Sequence, residues 1–338
     1  MPTMQDVARH AGVSVMTVSN VINDHPHVRT STREKVLESI SALGYHVNTA
    51  ARSLRQGKTG VIGLAVPDID RPYFGMLARL LIERAAAHGY ELVIEQTHAS
   101  REREVDAISR SRLRSYDGLF LYAAELRDDD AMLLRGEFPI VVFGEHAYSG
   151  PIDHVEMANA EGTRLATEHL IERGSRRIAM LGGRVDDPAD IGVATLRARG
   201  YREALEAAGV GFDEALVRDC DYSYEGGSAG AQALLAAYGD LDGLVCATDV
   251  IAIGALRALS DAGRRVPADV RVVGFDDVSL AAFTTPSLTS IAPGHDEMAD
   301  AAMDMVLGRI SGERAADDYR SFTGPVRLVE RESSASVL

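Results

Sequence analysis

Two cysteines in 338 residues, Cys220 and Cys246, are too few for a disulfide framework. With no export signal in view, both read as reduced thiols serving as small buried apolar side chains. No stretch approaches the roughly 20 apolar residues needed to span a bilayer, so no membrane partner is expected. The N-terminus lacks a basic run followed by an apolar core, and the implied compartment is the cytoplasm. No His, Cys and Glu cluster has metal-ligand spacing, so no metal is expected. Gly182-Gly183 lacks the glycine spacing and the following acid of a dinucleotide site, so no nucleotide cofactor is expected. No serine, histidine and aspartate grouping is evident, so no catalytic residue is assigned and the chain is not read as an enzyme.

What is present is a soluble, globular composition, 46% hydrophobic and 25% charged, on a chain too long for one ordinary core. Charge is unevenly spread. Residues 1–59 hold seven Lys or Arg against four acids, a surplus of three positive charges. The whole chain is −15, so the remaining 279 residues carry −18. A basic head on an acidic body points to a polyanion met by the head alone.

Within that head, Thr3 and Asp6 form a capping-box pattern ahead of a helix from about Met4 to His10. Ala11-Gly12-Val13 gives a tight turn, and Ser14 is placed to cap a second short helix. Val18, Val21 and Ile22 share one apolar face of it, whereas Val15, Met16, Ser19 and Asn20 point elsewhere. Ser31 to Glu34 reads as a second capping box. Val36, Leu37, Ile40 and Leu43 give the next helix an apolar stripe that Gly44 ends. Two short helices around a glycine turn predict a helix-turn-helix, with the second helix in the major groove of DNA.

Asp6-Val-Ala, Ala11-Gly-Val-Ser14, Thr17-Val-Ser19, Val21-Ile-Asn23, Thr32-Arg-Glu-Lys-Val36 and Leu43-Gly-Tyr45 through Asn48 strongly resemble the LacI/GalR family of bacterial transcriptional regulators. The resemblance implies base reading by Val15, Met16 and Asn20. Val15 and Met16 can pack only on thymine methyls or ring edges, and Asn20 can pair with adenine. It implies phosphate contacts from Ser14, Thr17, Ser19, Asn23 and His27, which set register. It also implies a hinge over residues 48–58 that folds on operator DNA. There Asn48 or Thr49 can cap a short helix, Ala51 allows close approach, Leu54 wedges between base pairs and Arg55 reaches phosphate or a base edge. Val47 stands where the family usually has proline.

From Gly60 onward strands and helices alternate, which predicts parallel sheets with helices on both faces. The fold class is therefore an all-α helix-turn-helix head plus an α/β core of two doubly wound parallel-sheet subdomains, resembling periplasmic binding proteins. The expected boundaries are 1–47 for the head and 48–58 for the hinge. The first subdomain takes 59–160 and 291–322, and the second 161–290 and 323–338. The return of the chain to each subdomain near its end is implied by the resemblance alone.

Ligands of such sheets gather beyond the carboxyl ends of strands. The residues there are Asp68, Arg71, Tyr73, Phe74, Tyr122, Arg197, Tyr222, Asp249 and Asp276. Carboxylates, an arginine and rings suit a polyhydroxylated or heterocyclic effector. Glu145 also ends a strand and is a weaker candidate. The family commonly has Asn-Asp at Thr248-Asp249 and Asp-Asn at Ala158-Asn159, so the effector is expected to differ from those of familiar relatives. The functional expectation is a repressor that binds a near-palindromic operator as a homodimer under the control of a sugar-like effector. A sugar-binding transport component without DNA binding is the alternative.

Overall fold

A computed structural model describes the chain except residues 1, 23–24, 46–57, 112, 114–115, 146–150, 186–191, 316 and 336–338. The candidates Asn23, Asn48, Ala51, Leu54 and Arg55 lie outside the described residues. The chain divides into two compact units, Met1–Thr59 and Gly60–Leu338.

The first unit holds α1 (Met4–Ala11), α2 (Val15–Ile22) and α3 (Thr30–Leu43). The Thr3 hydroxyl accepts from the Asp6 amide at 3.3 Å, and the Asp6 carboxylate accepts from the Thr3 amide at 2.9 Å. This capping box satisfies two N–H groups at the helix start. Gly12 then takes φ of +67°, a left-handed turn that a side chain would strain. The Ser14 hydroxyl accepts from the Thr17 amide at 3.1 Å and so opens α2. Val7, Ala8, Val18, Val21, Val36 and Tyr45 close the small core. A charge at Val18, which is fully buried, would cost the roughly 1.5–3 kcal/mol of its burial and more for desolvation.

Two local expectations are corrected in α3. The helix starts two residues early, at Thr30, and its cap position, Arg29, makes no side-chain cap, so there is no box from Ser31 to Glu34. Leu37 is 52% exposed, and Ser39 is buried instead, with its hydroxyl 3.0 Å from Nδ1 of His10. A polar residue at a buried position defeats an apolar-stripe reading, because its hydrogen bonds are invisible in the pattern.

The second unit is two α/β lobes. The first begins with β1 (Val61–Val66), α4 (Pro72–Ala87), β2 (Glu91–Gln96), α5 (Arg101–Arg110), β3 (Gly118–Tyr122), β4 (Ile140–Phe143) and β5 (Asp153–Met157). The second runs through α6 (Asn159–Glu172), β6 (Ile178–Leu181), α7 (Val193–Ala207), β7 (Val217–Arg218) and α8 (Tyr224–Ala237). It continues with β8 (Gly243–Cys246), α9 (Asp249–Asp261), β9 (Arg271–Phe275) and β10 (Thr289–Ala292). The chain ends with α10 (His295–Ile310), β11 (Ser321–Gly324) and β12 (Arg327–Val329).

The first sheet has the order β11-β5-β4-β3-β1-β2, with every pairing parallel. The second has the order β12-β10-β9-β8-β6-β7, parallel except for β12 against β10. Strands β4, β6 and β8 are buried along their whole length, as short apolar runs under helices on both faces must be. Strands β5 and β11 leave little trace in the sequence. Alternating Asp-His-Val-Glu-Met and a short, largely exposed Ser-Phe-Thr-Gly carry too little apolar signal. A buried ion cluster holds them. Asp153 is fully buried and pairs with Arg309, with Arg314 at 2.8 Å and with the Arg320 amide at 2.9 Å.

The chain crosses between lobes at 157–159, at 292–295 and at 324–327. Helix α10 returns to the first lobe, where Arg84 of α4 pairs with its Asp296 and Asp300 at 2.8 and 2.7 Å. The last two crossings lie against each other. A side chain at Gly294 would meet Pro325 at 2.6 Å, and one at Gly324 would meet the Pro293 carbonyl.

Candidate functional site

In the head, α2 presents Val15 and Met16 to solvent at 41% and 69% exposure. Beside them the Ser14 and Thr17 hydroxyls bond each other at 2.9 Å. Ser19 and Asn20 are half-buried on the same helix, and His27 is exposed, its ring 5.9 Å from that of His25. The helix that buries Val18 and Val21 inward thus aims apolar side chains outward.

In the body, a cavity of about 380 Å³ lies between the lobes at the carboxyl ends of both sheets. Tyr73 and Phe74 enter it from the first turn of α4, Tyr122 from the end of β3 and Glu145 from just after β4. Arg197 enters from α7, Tyr222 from before α8, Thr248 from the start of α9 and Asp276 from the end of β9. The rings of Phe74 and Tyr122 meet edge-on at 4.8 Å, and Tyr73 packs on Phe74 at 5.1 Å. This gives an aromatic wall on the first lobe.

The polar floor is a chain of contacts that joins the lobes. Asn159, the first residue of α6, donates to Oε1 of Glu145 at 2.6 Å. It accepts from Nε of Arg197 at 2.7 Å. The Arg197 guanidinium also donates to the Ala247 carbonyl and sits 3.7 Å from the centre of the Phe275 ring. Its remaining nitrogen is 3.7 Å from Asp276. Arg197 is 3% exposed, so these partners hold it in place of water.

Burial pushes the Asp276 carboxyl up to about 7, against the pull of Arg197. Burial also raises Glu145, with Asn159 and Arg197 opposing. The phenols of Tyr73, Tyr122 and Tyr222 rise by burial as well, which leaves them as neutral donors and acceptors. Asp276 holds φ of +104°, a strained value that its amide's bond to the Ile291 carbonyl at 2.9 Å helps fix. The opposite wall is braced from behind. Buried Glu104 accepts from the amides of Ala124 and Leu126 at 3.0 Å each, holding the loop that lines the cleft.

Of the nine cleft candidates, Arg71, Tyr73, Phe74, Tyr122, Arg197, Tyr222 and Asp276 line the cavity. Asp68 lies beside it, paired with the lining Arg71 at 3.1 Å. Asp249 is corrected. It is fully buried and absent from the lining, and Thr248 caps the helix. Its oxygens accept from the Ser290 hydroxyl at 2.6 Å and the Val278 amide at 2.8 Å. It braces the turn after β9 rather than facing a ligand. Asn159 is the residue the sequence reading missed. It adjoins Ala158, the position noted as lacking a carboxylate, and Glu145 brings a buried carboxylate from the other lobe. Among the described residues, no three His, Cys, Asp or Glu gather as a metal site, and no helix is long and apolar enough to cross a membrane.

Residues 3–48 match the model of bacterial regulatory proteins of the lacI family, and residues 167–334 match a periplasmic binding protein-like domain. A ribose operon repressor of Halalkalibacterium halodurans is 33% identical over 99% of this chain and 97% of its own length. The chain belongs to the LacI family. As a LacI-family protein it is a DNA-binding transcription regulator, with a helix-turn-helix head and a periplasmic-binding-protein-like core. Among solved structures, a complex of the transcriptional regulator CelR with cellobiose is 32% identical, with a TM-score of 0.72, covering 98% of this chain and 100% of that one. The lac repressor dimer bound to operator and an anti-inducer is 28% identical, with a TM-score of 0.81, covering 99% of each chain.

Proposed function

We propose that this LacI-family chain is a repressor that grips operator DNA as a dimer and releases or tightens that grip when a sugar-like molecule fills the cleft. The observation that carries the effector half is the buried Glu145–Asn159–Arg197–Asp276 chain beneath an aromatic wall. Carboxylates and a guanidinium accept and donate to ligand hydroxyls, and ring faces cover the apolar face of a sugar. The relatives named for ribose and cellobiose support that ligand class. The dimeric, operator-bound lac repressor supports pairing on a two-fold site.

Asp276, Arg197, Tyr222, Tyr73, Phe74 and Tyr122 are the proposed effector contacts, with Glu145 and Asn159 holding Arg197 in place. Ser14, Val15, Met16, Thr17, Ser19, Asn20 and His27 are the proposed DNA contacts. Effector and operator affinities are coupled, so each changes the other by the same factor. The test is selection of duplexes from a random pool by the purified chain, repeated with a panel of pentoses, hexoses and disaccharides. One sugar is expected to shift the affinity for the selected duplex. A selected duplex whose affinity no sugar changes, with no sugar bound in calorimetry, would remove the effector half.

A further inference from the structure

We propose that the effector is an amino sugar, a hydroxylated ligand whose protonated amine sits between Glu145 and Asp276 against the aromatic wall. This rests on the reading above that the cleft holds a sugar-like molecule, and it adds the charge which that molecule carries.

Among the described residues of the lining, two carboxylates and one guanidinium are buried. Glu145 is 9% exposed, Asp276 5% and Arg197 3%. The remaining charged side chains lie at the rim and leave this balance alone. Arg71 and Arg184 stand about half in water, paired with Asp68 at 3.1 Å and Asp219 at 2.7 Å, and Glu125 is exposed. Arg197 gives its hydrogen bonds to neutral acceptors, namely the Asn159 side chain, the Ala247 carbonyl and the Met157 sulfur at 3.6 Å. It stands 3.7 Å from Asp276, longer than a hydrogen bond, and is linked to Glu145 through Asn159. Arg197 therefore neutralises neither acid at hydrogen-bond distance.

Two buried carboxylates beside one space repel each other. Burial, and after it the charge of Glu145, hold the Asp276 carboxyl up at about 7 against the pull of Arg197. A ligand that brings only hydroxyls donates to these oxygens but leaves the excess buried charge in place. An ammonium removes that excess, and its three N–H donors suit two carboxylates. The wall favours the same group. The rings of Tyr73, Phe74 and Tyr122 meet at steep interplanar angles of 63° to 80°, so their faces do not all point one way. Ring faces attract a desolvated cation.

The experiment is calorimetry on the full chain with pentoses, hexoses and disaccharides in matched forms, carrying a hydroxyl, a primary amine or an N-acetyl group at the same carbon. At one carbon the amine is expected to bind about 10- to 100-fold tighter than its hydroxyl twin, the worth of hydrogen bonds to a charged group. The uncharged N-acetyl form is expected to bind no tighter than the hydroxyl, and the amine to shift affinity for the selected duplex. Glu145→Gln keeps an oxygen to accept from Asn159 while removing the charge. That variant and Asp276→Asn, with circular dichroism unchanged, are each expected to bring the amine-to-hydroxyl ratio toward one. A hydroxyl form that binds as tightly as its amine at every carbon overturns the amine inference alone. An amine preference that survives both substitutions also overturns it. Binding of none of the forms overturns the effector reading and the inference with it.

Discussion

The head and the body each invert the usual sorting of side chains, in opposite senses. The head leaves Val15 and Met16 in water. The body takes Arg197, Asp276 and Glu145 out of it. On the proposed function, the difference reflects what each surface meets. Base edges in a groove offer methyl groups, and an apolar tip gains by covering them. A ligand rich in hydroxyls offers donors and acceptors, and only preset charges can greet them without rearranging. The body's inversion is costly and has to be fully satisfied. The head's inversion costs little, because two exposed side chains on one small helix do not threaten solubility.

Breaking the body's side should give the larger effects. Asp153→Ala leaves Arg309 and Arg314 buried without their shared carboxylate. It is expected to lower the unfolding free energy by about 3–5 kcal/mol in urea titration. A loss below about 1 kcal/mol would mean that the cluster behaves like a solvated surface pair. Next, Arg197→Met removes the link between Asn159, the Ala247 carbonyl and Asp276. Calorimetry should show effector affinity falling by about 10- to 100-fold, the worth of hydrogen bonds to a charged group.

The third prediction concerns pH. Asp276 titrates near 7 in the folded chain against an ordinary 3.8. Its contribution to stability is fully present below about pH 4 and is lost as pH rises through 7. Relative to Asp276→Asn, the natural chain should therefore lose stability between pH 5 and pH 8, on the order of 2 kcal/mol. A gap between the two chains that stays constant across that range would contradict the assignment. The smallest effect belongs to the head, where Met16→Ala should weaken binding to the selected duplex by about fourfold per half-site. Equal weakening on random duplexes would assign Met16 to the backbone instead of the bases.

Much of this architecture was legible in the residues. Short apolar runs between amphipathic helices announced the parallel sheets, and a glycine turn between capped helices announced the head. Position along a strand is a coarser signal than direction. Asp249 and Asp276 both follow strands, yet one faces inward to a backbone amide and the other opens onto the cavity. Asn159 was not among the site candidates because its role depends on Glu145 and Arg197, which approach it from 14 and 38 residues away in sequence. Strand β5 escaped because its stability resides in arginines more than 150 residues distant.

The paired crossings at Pro293-Gly294 and Gly324-Pro325 have a mechanical consequence. With no room for a side chain between them, they behave as one folded seam, and a lobe cannot slide along it without opening the contact. The third crossing runs beside this seam, with Met157 paired to Gly324, and leads into Asn159. The amide that accepts from Arg197 is thus anchored where the two lobes are stitched together, so any turn of one lobe against the other has to pass through its immediate neighbours.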